Sequence, residues 1–157
     1  MHQWIDSDHQ LQQLCETLAP VAKIALDTEF IRTDTFYPKI ALIQVSDGQQ
    51  CWLIDVLAIT QFASLKALLE SPTNQLILHA CAEDLEVLDY ALDIRPSNIF
   101  DTQIAAGIVN LGYCMGYARL VDSLFDVSLD KQATRSDWLA RPLSQRQLDY
   151  AEVDVQY

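Results

Sequence analysis

The spacing of hydrophobic positions changes along this chain, and each change predicts a different kind of element. Residues 7–18 (SDHQLQQLCETL) read as a helix that Pro20 stops. In KIALDTEF, residues 23–30, polar and apolar positions alternate. A strand there puts Ile24, Leu26 and Thr28 on one face and Ala25, Asp27 and Glu29 on the other. After RTDTFYPK, the near-continuous apolar run IALIQVS ends at Asp47-Gly48, a hairpin signal leading into CWLIDV. The three strands together predict an antiparallel meander. Beyond it, helical and extended stretches alternate. FASLKALLE, AEDLEVLDYAL, DTQIAAGIV and YARLVDSLF read as helices, and QLILHA and NIF as short strands between them. Asp101 stands where DTQIAAGIV needs an N-cap. DVSLDKQATRSDWLARP reads as an extended loop with a short helix. Ser144, with Gln147 three residues on, marks a capping box for a final helix. A meander followed by βαβ units predicts an α/β fold, a mixed sheet flanked by helices. Active residues in such a sheet belong at the carboxyl ends of strands and at the helix starts beside them.

Composition narrows the picture. The chain has 157 residues, half of them hydrophobic, which suits one domain with a sizeable core. A charged fraction of 20%, with 4 Gly and 5 Pro, argues against disorder. The formal net charge of -12 is unusual for a protein that holds a polyanion, because a basic footprint is missing overall. Cys15, Cys51, Cys81 and Cys114 form no C-x-x-C, and His2, His9 and His79 are not paired with them at ligand spacing. The expectation is reduced thiols in a cytoplasmic protein rather than a zinc site. MHQWIDSDHQ lacks the apolar region of a signal peptide, and no apolar run approaches membrane-spanning length. The last helix reaches Tyr157 without a Gly, Asn or Pro stop, which reads as a boundary inside a longer protein.

Four acids interrupt these patterns. Asp27 and Glu29 lie two apart on a strand, so both point to one face and repel. On the helix from Ala82, the inward face is Cys81, Asp84, Leu85, Leu88 and Leu92, while Glu83, Glu86 and Asp93 point outward. On the final helix Leu148, Ala151 and Val155 mark the buried face. Asp154 lies within it, and Tyr150, four residues earlier, stacks on the same side. Each has a plain structural alternative: a solvated strand end, an acid at a helix N-terminus, a core tyrosine beside a boundary acid. Taken together, four inward acids need strong positive charge between them. Two Mg²⁺ or Mn²⁺ ions supply it, and a two-metal carboxylate site cuts or transfers phosphodiesters. Candidate substrate contacts are Phe30, His79, Gln103, Lys131 and Arg135, each with a packing or surface alternative. Trp138 reads as packing, Asp101 as a cap, and Asp47, Asp55 and Asp89 as turn or surface acids.

The five residues Asp27, Glu29, Asp84, Tyr150 and Asp154, in D-x-E, HACAEDLEVL and Y-x-x-x-D, resemble the motifs of the DEDD superfamily of 3′→5′ exonucleases, in its tyrosine-bearing branch. Within that branch ALDTEF, HACAEDLEVL, FDTQIAA and LDKQATRSDWLARPLSQRQLDYAEVDV are most similar to ribonuclease D. The resemblance implies a ribonuclease H-like fold and a single exonuclease domain over 1–157, cut within its last helix and without the C-terminal helical RNA-binding domains of that family. It also implies release of nucleoside 5′-monophosphates from RNA 3′ ends, including tRNA precursor tails. The four carboxylates would hold the metals and Tyr150 would orient the attacking water. Two alternatives stay open: a DNA 3′→5′ exonuclease of the same branch, and a non-catalytic acidic interaction module.

Overall fold

The computed structural model of the chain describes residues 2–32, 36–129 and 136–157. Among them, strands β1 (His2–Ile5), β2 (Lys23–Ile31), β3 (Lys39–Ser46), β4 (Cys51–Asp55), β5 (Gln75–Leu78) and β6 (Ile99–Asp101) form one sheet in the order β1-β4-β3-β2-β5-β6. β2, β3 and β4 are the antiparallel meander; β1 runs parallel to β4, β5 to β2, and β6 to β5. The helices are α1 (Asp8–Leu18), α2 (Ala63–Leu69), α3 (Ala82–Leu92), α4 (Thr102–Ile108), α5 (Tyr117–Phe125) and α6 (Gln145–Val153). This is the mixed α/β sheet that the sequence pattern predicts.

The sheet has a packed layer on each face. Ile24 and Leu26 of β2 pack with residues of α1, α2 and α3. Leu42 and Leu53 pack on the other face with Trp138, Leu143, Ala151 and Val155. Residues 24, 26 and 28 of β2 are buried, whereas 25, 27 and 29 are half-buried toward the α6 side. The alternation in KIALDTEF therefore reads correctly, and it separates Thr28 from its two acidic neighbours.

Local signals act as expected at most junctions. Asp47 closes the β3–β4 hairpin by accepting from the Gln49 and Gln50 amides, with Gly48 at φ 87. Both halves of the Ser144–Gln147 capping box are formed. Four differences stand out. β1 was not expected, because only Ile5 of its four residues is buried; its ladder with β4 makes the strand, not its apolar pattern. Of the segment 126–142, read as a loop with a short helix, residues 126–129 and 136–142 show no helix and the rest lies outside the described residues; Trp138 and Arg141 bind 136–142 to the sheet. Asp55, read as a turn or surface acid, does hold the turn after β4 by accepting from the Leu57 amide, but it is not on the surface. It is buried and takes a two-point contact from Arg141, at 2.6 and 2.9 Å. The last helix ends at Val153, so Asp154 is its C-cap. The next bond, Gln156 N–H to the Val153 carbonyl, spans three residues rather than four.

Candidate active site

Strand β2 carries the first two acids to the α6 side of the sheet, just before its register shifts between Glu29 and Phe30. α6 and the turn after it approach the same face through Ala151 and Val155 and bring Asp154. One carboxylate oxygen each from Asp27, Glu29 and Asp154 lie within 4.8 Å of one another. Asp84 comes from the opposite side. It sits in the first turn of α3, is buried, and accepts a 2.5 Å hydrogen bond from the Thr28 hydroxyl. It lies close enough to raise the pKa of Asp27, Glu29 and Asp154, but it is not one of the three convergent oxygens.

The turn that launches α3 is itself held. Ala80, at φ 57, and Cys81 donate their amides to the Asp101 carboxylate, which also caps α4 through the Gln103 and Ile104 amides. These bonds hold the Asp101 carboxyl below its usual range, against its partial burial. A residue readable only as a helix cap thus also fixes the approach of Asp84.

The acids are electrostatically strained. Burial first, and then Asp154, Asp84 and Glu29, push the Asp27 carboxyl well above the usual aspartate range. Burial with Asp154 and Asp84 pushes Glu29 up to about 9. Burial raises Asp154 to about 7, although the Tyr150 hydroxyl donates to it and opposes the shift. Burial likewise raises Asp84 to about 6, against the Thr28 bond. Among the described residues no Lys, Arg or His pairs with any of the four. Convergent oxygen donors lacking a protein counter-charge fit a hard divalent cation.

A profile described as 3′–5′ exonuclease matches residues 2–157. Ribonuclease D of Escherichia coli K12 is 46% identical over 156 residues, covering 99% of this chain and 42% of the relative. Ribonuclease D of Pseudomonas paraeruginosa is 46% identical over 155 residues, covering 99% of this chain and 41% of the relative. The chain belongs to the 3′–5′ exonuclease family. It is a ribonuclease D homologue, and it spans about two fifths of the length of these relatives. The crystal structure of E. coli RNase D, described as an exoribonuclease involved in structured RNA processing, superposes with a TM-score of 0.96. The match is at 45% identity over 100% of this chain and 42% of that one. A structure of Brucella melitensis NrnC with bound Mg²⁺ matches with a TM-score of 0.77 at 30% identity, over 88% of this chain and 69% of that one.

In this exonuclease domain the motif residues come together, and the softer candidates scatter. Asp27, Tyr150 and Asp154 line a cleft of about 170 Å³ with His79, Thr102 and Tyr117. His79 Nδ1 bonds the Thr102 hydroxyl, and burial holds its pKa down. Phe30 lies partly buried against the core, and the Gln103 amide donates to the Met115 carbonyl. Lys131 and Arg135 lie outside the described residues. Trp138 is 1% exposed, a packing residue as expected, with its ring 6.0 Å from that of Tyr150. Two contributors were missed. Gln44 pairs with Asp27 across the β2–β3 ladder and is fully buried, with no partner for its amide among the described residues. Tyr117 had no motif to mark it.

Proposed function

We propose that this domain is a metal-dependent 3′→5′ exoribonuclease that hydrolyses 3′-terminal phosphodiesters and releases nucleoside 5′-monophosphates. The observation that carries this is the convergence of the Asp27, Glu29 and Asp154 oxygens within 4.8 Å, without a protein cation. Similarity to ribonuclease D favours RNA over DNA. The charges of all three other acids act on Asp27, so it would be the residue best placed to serve both ions. Glu29 and Asp154 would help hold one ion, and Asp84 would support the second. Bound there, two Mg²⁺ or Mn²⁺ ions would lower the pKa of the attacking water and stabilise the departing oxygen. Tyr150, anchored on Asp154, orients that water. Water adds to the terminal phosphorus, the bond to the penultimate 3′ oxygen breaks, and that oxygen leaves as the new 3′ hydroxyl.

The substrates that suit this reading are structured-RNA 3′ ends, tRNA precursor tails among them. His79, in the cleft wall, is the substrate contact it retains among the described candidates. The greater length of the ribonuclease D relatives supports a domain arrangement in which residues 1–157 are the exonuclease unit of a protein with C-terminal helical RNA-binding domains. Four unbridged cysteines support a cytoplasmic setting. No helix among the described residues is long and apolar enough to cross a membrane.

The test is incubation with 3′-hydroxyl single-stranded RNA and matched DNA, in Mg²⁺, Mn²⁺ or EDTA, beside Asp27→Ala. Metal-dependent release of 5′-monophosphates that disappears in the variant supports the exonuclease. The RNA-to-DNA ratio decides the substrate class. Absence of both release and metal-induced stabilisation overturns the reading.

A further inference from the structure

Asp154 stands where a helix is weakest. α6 ends at Val153, and the last carbonyls of a helix have no partner within it. Helix ends fray, and a ligand at such a position must be ordered before it can hold a cation. One hydroxyl meets this turn from both sides. Tyr117, at the start of α5, donates to the Val153 carbonyl at 3.0 Å and accepts from the Tyr157 amide at 3.2 Å. The residues before and three after Asp154 are thereby joined through one atom.

That atom is fixed by the body of the domain. The Tyr117 ring meets the His79 ring edge-on, with centroids 5.6 Å apart. His79 Nδ1 donates to the Thr102 hydroxyl, which donates in turn to the Leu78 carbonyl at the end of β5. The relay runs from the sheet through α4 and α5 to the turn that carries Asp154. Tyr117 also lines the cleft with Asp27 and Asp154.

We propose that Tyr117 is a positioning residue for Asp154, clamping the C-terminal turn of α6 so that its carboxylate is ordered before a divalent cation binds. This rests on the metal site of the proposed function. Outer partners of metal ligands typically carry about 10- to 100-fold in affinity. A plain helix-capping role would instead affect folding alone.

The experiment is a calorimetric titration of the metal-free chain with Mn²⁺, well below its melting temperature. It compares the parent, Tyr117→Phe, and Asn74→Ala. Asn74 lies away from the site and donates to the Leu18, Ala19 and Val21 carbonyls, so its loss destabilises without touching the cleft. Tyr117→Phe keeps the ring and removes both bonds. The expected result is Mn²⁺ affinity about tenfold weaker in Tyr117→Phe and unchanged in Asn74→Ala. At saturating Mn²⁺ the KM for RNA stays at the parent value. Parent-like affinity in Tyr117→Phe, or an equal loss in Asn74→Ala, overturns the assignment. A parent that takes up no Mn²⁺ overturns the metal site and this role with it. Uptake by the parent with an indifferent Tyr117→Phe overturns this role alone.

Discussion

Two sets of inward acids are built in opposite ways. Asp55, at the end of β4, has its counter-charge provided. Arg141 meets both its oxygens and donates its remaining hydrogens to the Trp138, Ala140 and Ala41 carbonyls, with the Trp4 ring 5.8 Å from the guanidinium carbon. Asp27, Glu29, Asp84 and Asp154 have no such partner among the described residues. Burial raises their pKa values, so without a cation they shed charge by keeping protons. A paired buried acid fixes architecture, here the segment that leads into α6. An unpaired group of acids holds an electrostatic deficit that a cation can fill. The two are connected: Arg141 helps place α6, and α6 carries Tyr150 and Asp154 to the deficit.

The largest effect that separates them is on activity. Asp27→Asn should lower RNA hydrolysis by more than about a hundredfold, since even outer partners of ligands cost about 10- to 100-fold. The same change removes a repelling charge, so the metal-free melting temperature should hold or rise. A fall in stability would move Asp27 into the class of Asp55. Arg141→Met should do the reverse. It leaves Asp55 buried without its partner, costing about 3 kcal/mol and lowering the melting temperature by roughly 6–12 °C. Thermal denaturation of the metal-free protein, with and without the variant, checks this.

A pH titration tests the deficit directly. Glu29 is raised from 4.5 to about 9, Asp154 from 3.8 to about 7, and Asp84 from 3.8 to about 6. These groups keep protons in the folded chain that they lose when it unfolds, so the unfolded state binds fewer protons between the two sets of values. Stability therefore falls as pH rises through that window. The metal-free melting temperature should decline from about pH 5 to about pH 9, and saturating Mg²⁺ should flatten the decline. A flat metal-free curve would show that the acids do not share one site.

Much of this was legible in the sequence, because it depends on local spacing. D-x-E on an alternating strand fixes one face, Asp84 interrupts an apolar helix stripe, and Tyr150 with Asp154 follows from a four-residue step. The caps at Asp101 and Ser144 are equally local. What escaped depends on contacts between distant segments. β1 is a strand through its ladder with β4. Asp55 and Arg141 are 86 residues apart, and nothing in LIDV marks that acid as buried. Tyr117 reaches Val153 across 36 residues. The double duty of Asp101, capping α4 while holding the start of α3, is invisible for the same reason.

The smallest expected effect decides where Asp84 belongs. It enters from the face opposite Asp27 and Glu29 and is held there by a hydrogen bond from Thr28. Thr28→Val keeps the branched shape and removes the donor. Hydrogen bonds to charged groups are worth about 1.5–3 kcal/mol, and Asp84 can relieve part of the loss by taking a proton. The expected cost is about 1.5 kcal/mol, a melting temperature lower by about 3–6 °C, with the Asp84 carboxyl pushed further up. Hydrolysis should slow by several-fold and recover as Mg²⁺ is raised, because the freed carboxylate still sits beside Asp27. Were the loss of stability as large as that of Arg141→Met and hydrolysis unchanged, Asp84 would be a structural acid like Asp55, and the site would consist of three carboxylates.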